Sequence, residues 1–299
     1  MIRLLFGLNV STSAAVGADP VGEARAAEEL GFDFVSANDH PGGTNPTFEL
    51  WTMLSWLAAG TSRIRLASRV LGVPYRHPAM VAKMAETLDR LCRGRLILGL
   101  GGGASDDAFR AFGLGVRSPR EKIDGLEEAI QIIRGLWTHS DFTFEGRLYR
   151  TDHANLEPKP EHIIPLWLGT FGNRGLAVTG RLADGWIPSL ELAPPDRVPA
   201  MLERVCAAAR KAGRESEEIT CVYNMEIRVD EAPTSRPFVV SGGPDAVAEQ
   251  LLSFTGLGFT AMNFILVGPG KEEQRERLAS EVIPVVRANA ESFSSESRK

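Results

Sequence analysis

Short strand-like runs alternate with helix-like runs from one end of this 299-residue chain to the other, the pattern of a parallel sheet built from β/α units. The strand-like runs are Leu4–Asn9, Phe32–Ala37, Ile64–Val70, Arg95–Leu100, Pro165–Gly169, Asp184–Ile187, Ile219–Val229 and Ala261–Val267, each followed by a plausible helix. Eight such units are what a closed (β/α)8 TIM barrel requires, and that is the expected fold class, α/β.

The helices carry independent signals. Met80, Met84, Leu88 and Leu91 follow His77-Pro78 at helical spacing, and Ile123, Leu126, Ile130, Ile133 and Trp137 follow Ser118-Pro119, so each set predicts one apolar stripe against the sheet. Asp19-Pro20 predicts a capped helix start, and Gly31 a left-handed stop. One interval breaks the rhythm: Gly101 to Ile164 holds far more chain than one crossover helix needs. It predicts an insertion after the fourth strand, residues 101–164, with a hairpin at Asp141–Tyr149 placed over the barrel mouth. Asp230 to Pro237 reads as a surface loop. No linker divides the chain, so one domain is expected over residues 1–290, followed by a frayed tail over 291–299.

Composition excludes several classes. A formal net charge of -5, without a dense Lys/Arg stripe, disfavours nucleic acid as a partner. No run approaches the roughly 20 apolar residues of a membrane span, and none is expected. Cys92, Cys206 and Cys221 match neither a zinc nor a redox spacing, and the five histidines form no close pair. Reduced structural thiols in a cytoplasmic protein without a metal site are the reading.

In β/α barrels the active site is built where strands end, and three such positions stand out. Asn38-Asp39-His40 places a carboxylate beside an imidazole after the second strand, an arrangement that suits proton transfer, with Asp39 orienting His40. The competing reading makes Asp39 a turn cap and His40 a rim residue. Gly101-Gly102-Gly103-Ala104-Ser105 after the fourth strand lets backbone amides approach an anion. Gly169-Thr170-Phe171-Gly172-Asn173-Arg174 after the fifth repeats the device, with Arg174 adding a guanidinium. Ordinary tight turns would also use such glycines; two loops of this kind on one mouth favour a phosphate cradle. His77 reads as a helix cap, and Trp51 and Trp56 as core.

Several separated segments, in order, carry a resemblance. Ala27-Glu28-Glu29-Leu30-Gly31-Phe32-Asp33-Phe34-Val35 into Asp39-His40, Tyr75-Arg76-His77-Pro78, Thr87-Leu88-Asp89-Arg90-Leu91 with Gly94-Arg95, and Arg181-Leu182-Ala183-Asp184-Gly185-Trp186 resemble the luciferase-like monooxygenase superfamily, in its methylenetetrahydromethanopterin reductase-like branch. The resemblance runs from about residue 4 to residue 290. It implies a barrel with an insertion after strand four, a homodimer, and FMN or the deazaflavin coenzyme F420 at the mouth. His40 matches a histidine facing the ring and substrate in deazaflavin-dependent members. A non-prolyl cis peptide behind the ring would fall at Arg69–Val70, with Ser68 beside it. Gly101, Gly102, Gly103, Ala104, Gly169, Thr170, Gly172 and Asn173 match the positions that bind the cofactor phosphate. The chain departs from the sugar-phosphate dehydrogenase branch, which has an acidic residue where Ala104-Ser105 stands and a tryptophan where Thr44 stands.

The functional expectation is an oxidoreductase moving a hydride between coenzyme F420 and a small organic substrate, with His40 and Asp39 as catalytic residues. An FMN-dependent monooxygenase and a non-catalytic flavin-binding protein are the alternatives.

Overall fold

The computed structural model describes residues 3–231, 234 and 236–296. Eight parallel strands, β1 (Leu5–Asn9), β2 (Phe34–Ala37), β3 (Arg65–Ser68), β4 (Leu96–Gly101), β5 (Leu166–Leu168), β6 (Gly185–Trp186), β7 (Thr220–Val229) and β8 (Ala261–Leu266), pair in chain order. The β6–β7 register, Thr220 opposite Gly185, and the β8–β1 register, Ala261 opposite Leu5, close the sheet on itself. All eight sequence-derived strands are present, most of them shorter by a residue or two. β3 is the exception in form: it breaks at a cis Arg69–Val70 peptide, and Leu71–Gly72 resumes pairing beside the end of β4.

The helices include α1 (Pro20–Glu29), α2 (Leu50–Gly60), α3 (Pro78–Leu91), α4 (Asp106–Ala111), α5 (Pro119–Thr138), α6 (Asn173–Leu182), α7 (Val198–Lys211) and α8 (Pro244–Gly256). Asp19 caps α1 through the Gly22 amide with Pro20 in the first turn, and Gly31 leaves the helix at φ 81°. The α5 stripe is as expected, with Leu126, Ile130 and Ile133 fully buried. The α3 stripe is rotated from the expected one: Met80 and Leu91 are exposed, whereas Val81, Ala82, Ala85 and Leu88 are buried. The displacement has a polar cause. Glu86 and Asp89 occupy the inner face because Lys83, Arg90, the Leu96 amide and His162 satisfy their oxygens, so burial there does not follow hydropathy.

Inside the barrel the period-two alternation of the strands stacks layers. Phe34, Ala67, Ile97, Trp167, Ile187, Val222 and Ala261 form the apolar plug, with Phe34 edge-on to Trp167 at 5.3 Å between centroids. The plug needs glycine opposite its two large rings: a Cβ on Gly7 would lie 2.1 Å from Phe34, and one on Gly185 2.3 Å from Trp167. One step towards the mouth the same alternation turns polar. Ser36 donates to Asn263 at 2.8 Å, Asn263 to Asn224 at 2.7 Å, and the Arg69 Nε to Asn9 at 3.0 Å. The outer core lies between this barrel and the helical ring.

The insertion is present, but its hairpin, Phe142–Glu145 paired with Arg150–Ala154, does not cover the mouth. It lies against α5: the amides of Arg147, Leu148 and Tyr149 donate to Glu128, and Phe142 packs where α5 carries Gly135 instead of a side chain. Trp51 is buried as expected, whereas Trp56 is exposed on the outer face of α2. The last helix, Ile283–Glu296, runs into the expected tail, and residues 297–299 lie outside the described residues. In the Asp230–Pro237 loop, Ala232, Pro233 and Ser235 lie outside them too. Among the described residues no helix is long and apolar enough to cross a membrane.

Candidate active site

The C-terminal ends of the strands surround a cavity of about 830 Å³, within the range of small-molecule sites. Arg69 and Val70, at the break in β3, form part of its wall. On the β4 side lie Gly101, Gly102, Gly103, Ala104 and Ser105; on the β5 side lie Gly169, Thr170, Phe171, Gly172, Asn173 and Arg174. Both glycine loops therefore open on one space. They close tightly around the β3 break, since a Cβ at Gly101 would stand 2.6 Å from a Val70 methyl.

The β5 loop runs straight into α6, whose N-cap is Gly172 and whose start has no side-chain cap. First-turn amides that a Ser or Asp would normally satisfy are left for something else, and the positive end of the helix dipole meets the cavity there. Arg174 is less available than its sequence position suggested, being ion-paired to Asp124 of α5. Ser68 does not reach the cavity. It is fully buried, donating to the Gly99 carbonyl at 2.8 Å and accepting from the Gly99 amide at 2.9 Å, so it stitches β3 to β4.

His40 and Asp39 both line the cavity but do different things. His40 stands exposed at the rim. Asp39 is buried, and its oxygens are taken by Arg76, through Nη1 at 2.8 Å and Nη2 at 3.2 Å, and by the Gly72 amide at 2.9 Å. No hydrogen bond lets Asp39 orient His40 as expected, because the Asp39 oxygens are already engaged by the Arg76 fork and the Gly72 amide. Asp39 instead ties the β2 end to the segment beyond the β3 break. Arg76 also pairs with Glu49, the N-cap of α2. Burial works against the Arg76 charge, but the bonds to Asp39 and Glu49 outweigh it and raise its pKa. His77 caps α3 by accepting from the Ala79 amide at 3.3 Å, as expected.

Several lining residues escaped the sequence reading. Lys122 and Ile123, from the first turns of α5, form the lid side that the hairpin had been expected to supply. Tyr75 lines the cavity, and its buried hydroxyl has no hydrogen-bond partner among the described residues. Burial, then the Asp39 charge, raises its pKa, so the hydroxyl stays a donor. Asn224 and Ser189 complete the wall on the β6–β7 side. Asn224 had a legible signal, a polar residue at an inward position of an apolar strand; Tyr75 and Lys122 had none.

The model of the luciferase-like monooxygenase family matches residues 4–235. The chain belongs to this family. Among curated luciferase-like relatives, an F420-dependent glucose-6-phosphate dehydrogenase of Nakamurella multipartita is 28% identical over 332 aligned positions, covering 95% of this chain and 96% of the relative. One of the same description from Beutenbergia cavernae is 30% identical over 335, covering 96% and 98%. Among solved structures, an F420-dependent secondary alcohol dehydrogenase in complex with an F420-acetone adduct superposes with a TM-score of 0.86 over 95% of this chain and 99% of its own. At 19% identity that likeness establishes the eight-stranded barrel fold and nothing finer.

Proposed function

We propose that this protein is an oxidoreductase that moves a hydride between coenzyme F420 and a small organic substrate. The observation that carries the reading is the convergence, on one cavity, of two glycine loops and an uncapped helix start, a cradle for a phosphate-bearing cofactor. The description shared by the curated relatives supports F420 as that cofactor. The residues fit such a group: the orphaned Tyr75 hydroxyl offers a donor, and the amides of Gly102, Gly103, Ala104, Gly172 and Asn173 offer an anion site.

When bound, the deazaflavin supplies two-electron hydride chemistry. The chain supplies placement. Val70, Gly101 and Gly169 present a close-packed wall for a flat ring, with Thr170 beside them. His40, exposed at the open side, is positioned to exchange a proton with a substrate oxygen as the hydride moves. Asp39, through Arg76 and Gly72, keeps the β2 end and the β3 break in fixed relation. Thr44 and Ala104 replace the tryptophan and acid expected of the sugar-phosphate branch, so a sugar phosphate is not included as substrate.

An FMN-dependent monooxygenase is the second reading, favoured by the family's own description. One domain over residues 1–290, a homodimer and a cytoplasmic location complete the proposal. The exposed Val16, Phe48 and Trp56 support self-association, and the three free cysteines suit a reducing compartment. Titrating the purified protein separately with coenzyme F420 and FMN, followed by ring fluorescence, tests the reading. Tight F420 and weak FMN binding is the expected result; the reverse selects the monooxygenase, and binding of neither overturns the cradle.

A further inference from the structure

A second cavity, about 400 Å³, lies on the β7–β8 side of the mouth. It shares three wall residues with the larger one: Arg69, Ser189 and Asn224. The two spaces therefore adjoin at a polar partition. The rest of the small cavity is mixed: Pro237, Phe238 and Ile265 form an apolar side, while Glu191 and the ion-paired Glu226 and Arg236 form a charged one.

Arg69 is the anomaly. The other cations on the two cavities are all ion-paired: Arg120 and Arg174 with Asp124, Lys122 with Asp106, and Arg236 with Glu226. Arg69 has no carboxylate partner among the described residues, and its one recorded hydrogen bond uses Nε, to the neutral Asn9 amide oxygen. The forked Nη1 and Nη2 donors remain. Burial alone lowers its pKa to about 10, which still leaves it charged at neutral pH. A half-buried guanidinium without a counter-charge is costly unless a ligand supplies one, and its fork matches the two oxygens of a carboxylate or phosphate.

We propose that the small cavity is a substrate subsite for an oxyanion, carboxylate or phosphate, gripped by the Arg69 fork with Ser189 and Asn224 beside it. An apolar body rests against Pro237, Phe238 and Ile265. This rests on the oxidoreductase reading above, since the subsite would anchor the substrate's remote end while its reacting carbon faces the larger cavity. Lysine could not replace Arg69 fully, because an ammonium is a point charge and lacks the fork.

The test uses probes with one body and different heads: phenylacetate, phenyl phosphate and the neutral phenylacetamide, titrated calorimetrically into the cofactor-free protein. Wild type should bind at least one anion ten or more times more tightly than the amide, and the better anion identifies the head group. R69Q should bring that anion to the level of the amide, leaving amide binding unchanged, with R69K between them. Equal binding of all three probes by wild type, or an R69Q that keeps the anion preference, overturns the subsite. Should R69Q not fold, the wild-type Arg69 Nε–Hε NMR resonance, assigned by its loss in R69K, must shift with the anion and not with the amide; no shift overturns it. These readouts need no cofactor, so they fail independently of the F420 titration.

Discussion

Asn173→Asp separates the proposed cofactor cradle from the stability of the helix that builds it. Asn173 is exposed at the first position of α6, which has no side-chain cap and no acidic residue in its first turn. A carboxylate there complements the helix dipole and should raise stability by about 0.3–1 kcal/mol. Towards a bound phosphate the same charge is repulsive. Two unit charges about 6 Å apart, with an effective dielectric of roughly 20 to 40, interact by about 1.4–2.8 kcal/mol, a tenfold to hundredfold weakening. The variant should therefore melt at the wild-type temperature or above it while binding coenzyme F420 at least tenfold more weakly. The deficit should shrink as salt is raised. Fluorescence titration at two ionic strengths, beside a thermal melt, measures both. An unchanged F420 affinity in N173D would refute the reasoning, and so would an equal loss in N173A, which adds no charge.

His40→Asn should lower turnover by roughly 10²–10⁴-fold while leaving F420 affinity within about twofold; steady-state kinetics with the fluorescence titration distinguishes this from a rim residue, whose loss would leave turnover intact. Gly180→Ala reverses the usual helix preference. Alanine is ordinarily better by about 0.8–1 kcal/mol inside a helix, but here its Cβ would lie 2.1 Å from the Val205 carbonyl of α7, so a net loss of roughly 1–3 kcal/mol is expected. A urea midpoint that rises instead would show α6 and α7 to be less tightly apposed. Glu28 sets a pH dependence. Burial pushes its pKa up, but the amides of Ile64, Arg63 and Ser62 and the Ser62 hydroxyl outweigh that and bring it to about 2. A depressed carboxylate contributes stability that is complete above its unfolded value near 4.5 and is lost as pH falls towards 2. Glu28→Gln should flatten the stability profile across that window, and an identical slope in both proteins would contradict the assignment.

Much of the barrel is legible because its signals are local. Strand alternation, Asp19-Pro20 with Gly31, and the glycine loops after strands four and five depend only on neighbouring residues and on where a parallel strand must end. The failures have a common cause, which is competition from distant partners. The α3 stripe departs from hydropathy because Glu86 and Asp89 find cations and an amide at its inner face. Asp39 is held not by His40, its neighbour in sequence, but by Arg76, 37 positions away. The hairpin went to α5 because Glu128 gathers three of its amides.

By itself, then, the order of residues determined the closed eight-unit barrel, the insertion after strand four and the two loops at the mouth, since these follow from periodicity and backbone permission. Only the tertiary structure decided which side chains face one another across the mouth. Among the described residues it left the Tyr75 hydroxyl and the Arg69 fork without protein partners while pairing Asp39, Lys122 and Arg174. Charge and hydrogen-bond pairing depend on distances in space, and barrel closure brings together residues that no local pattern links.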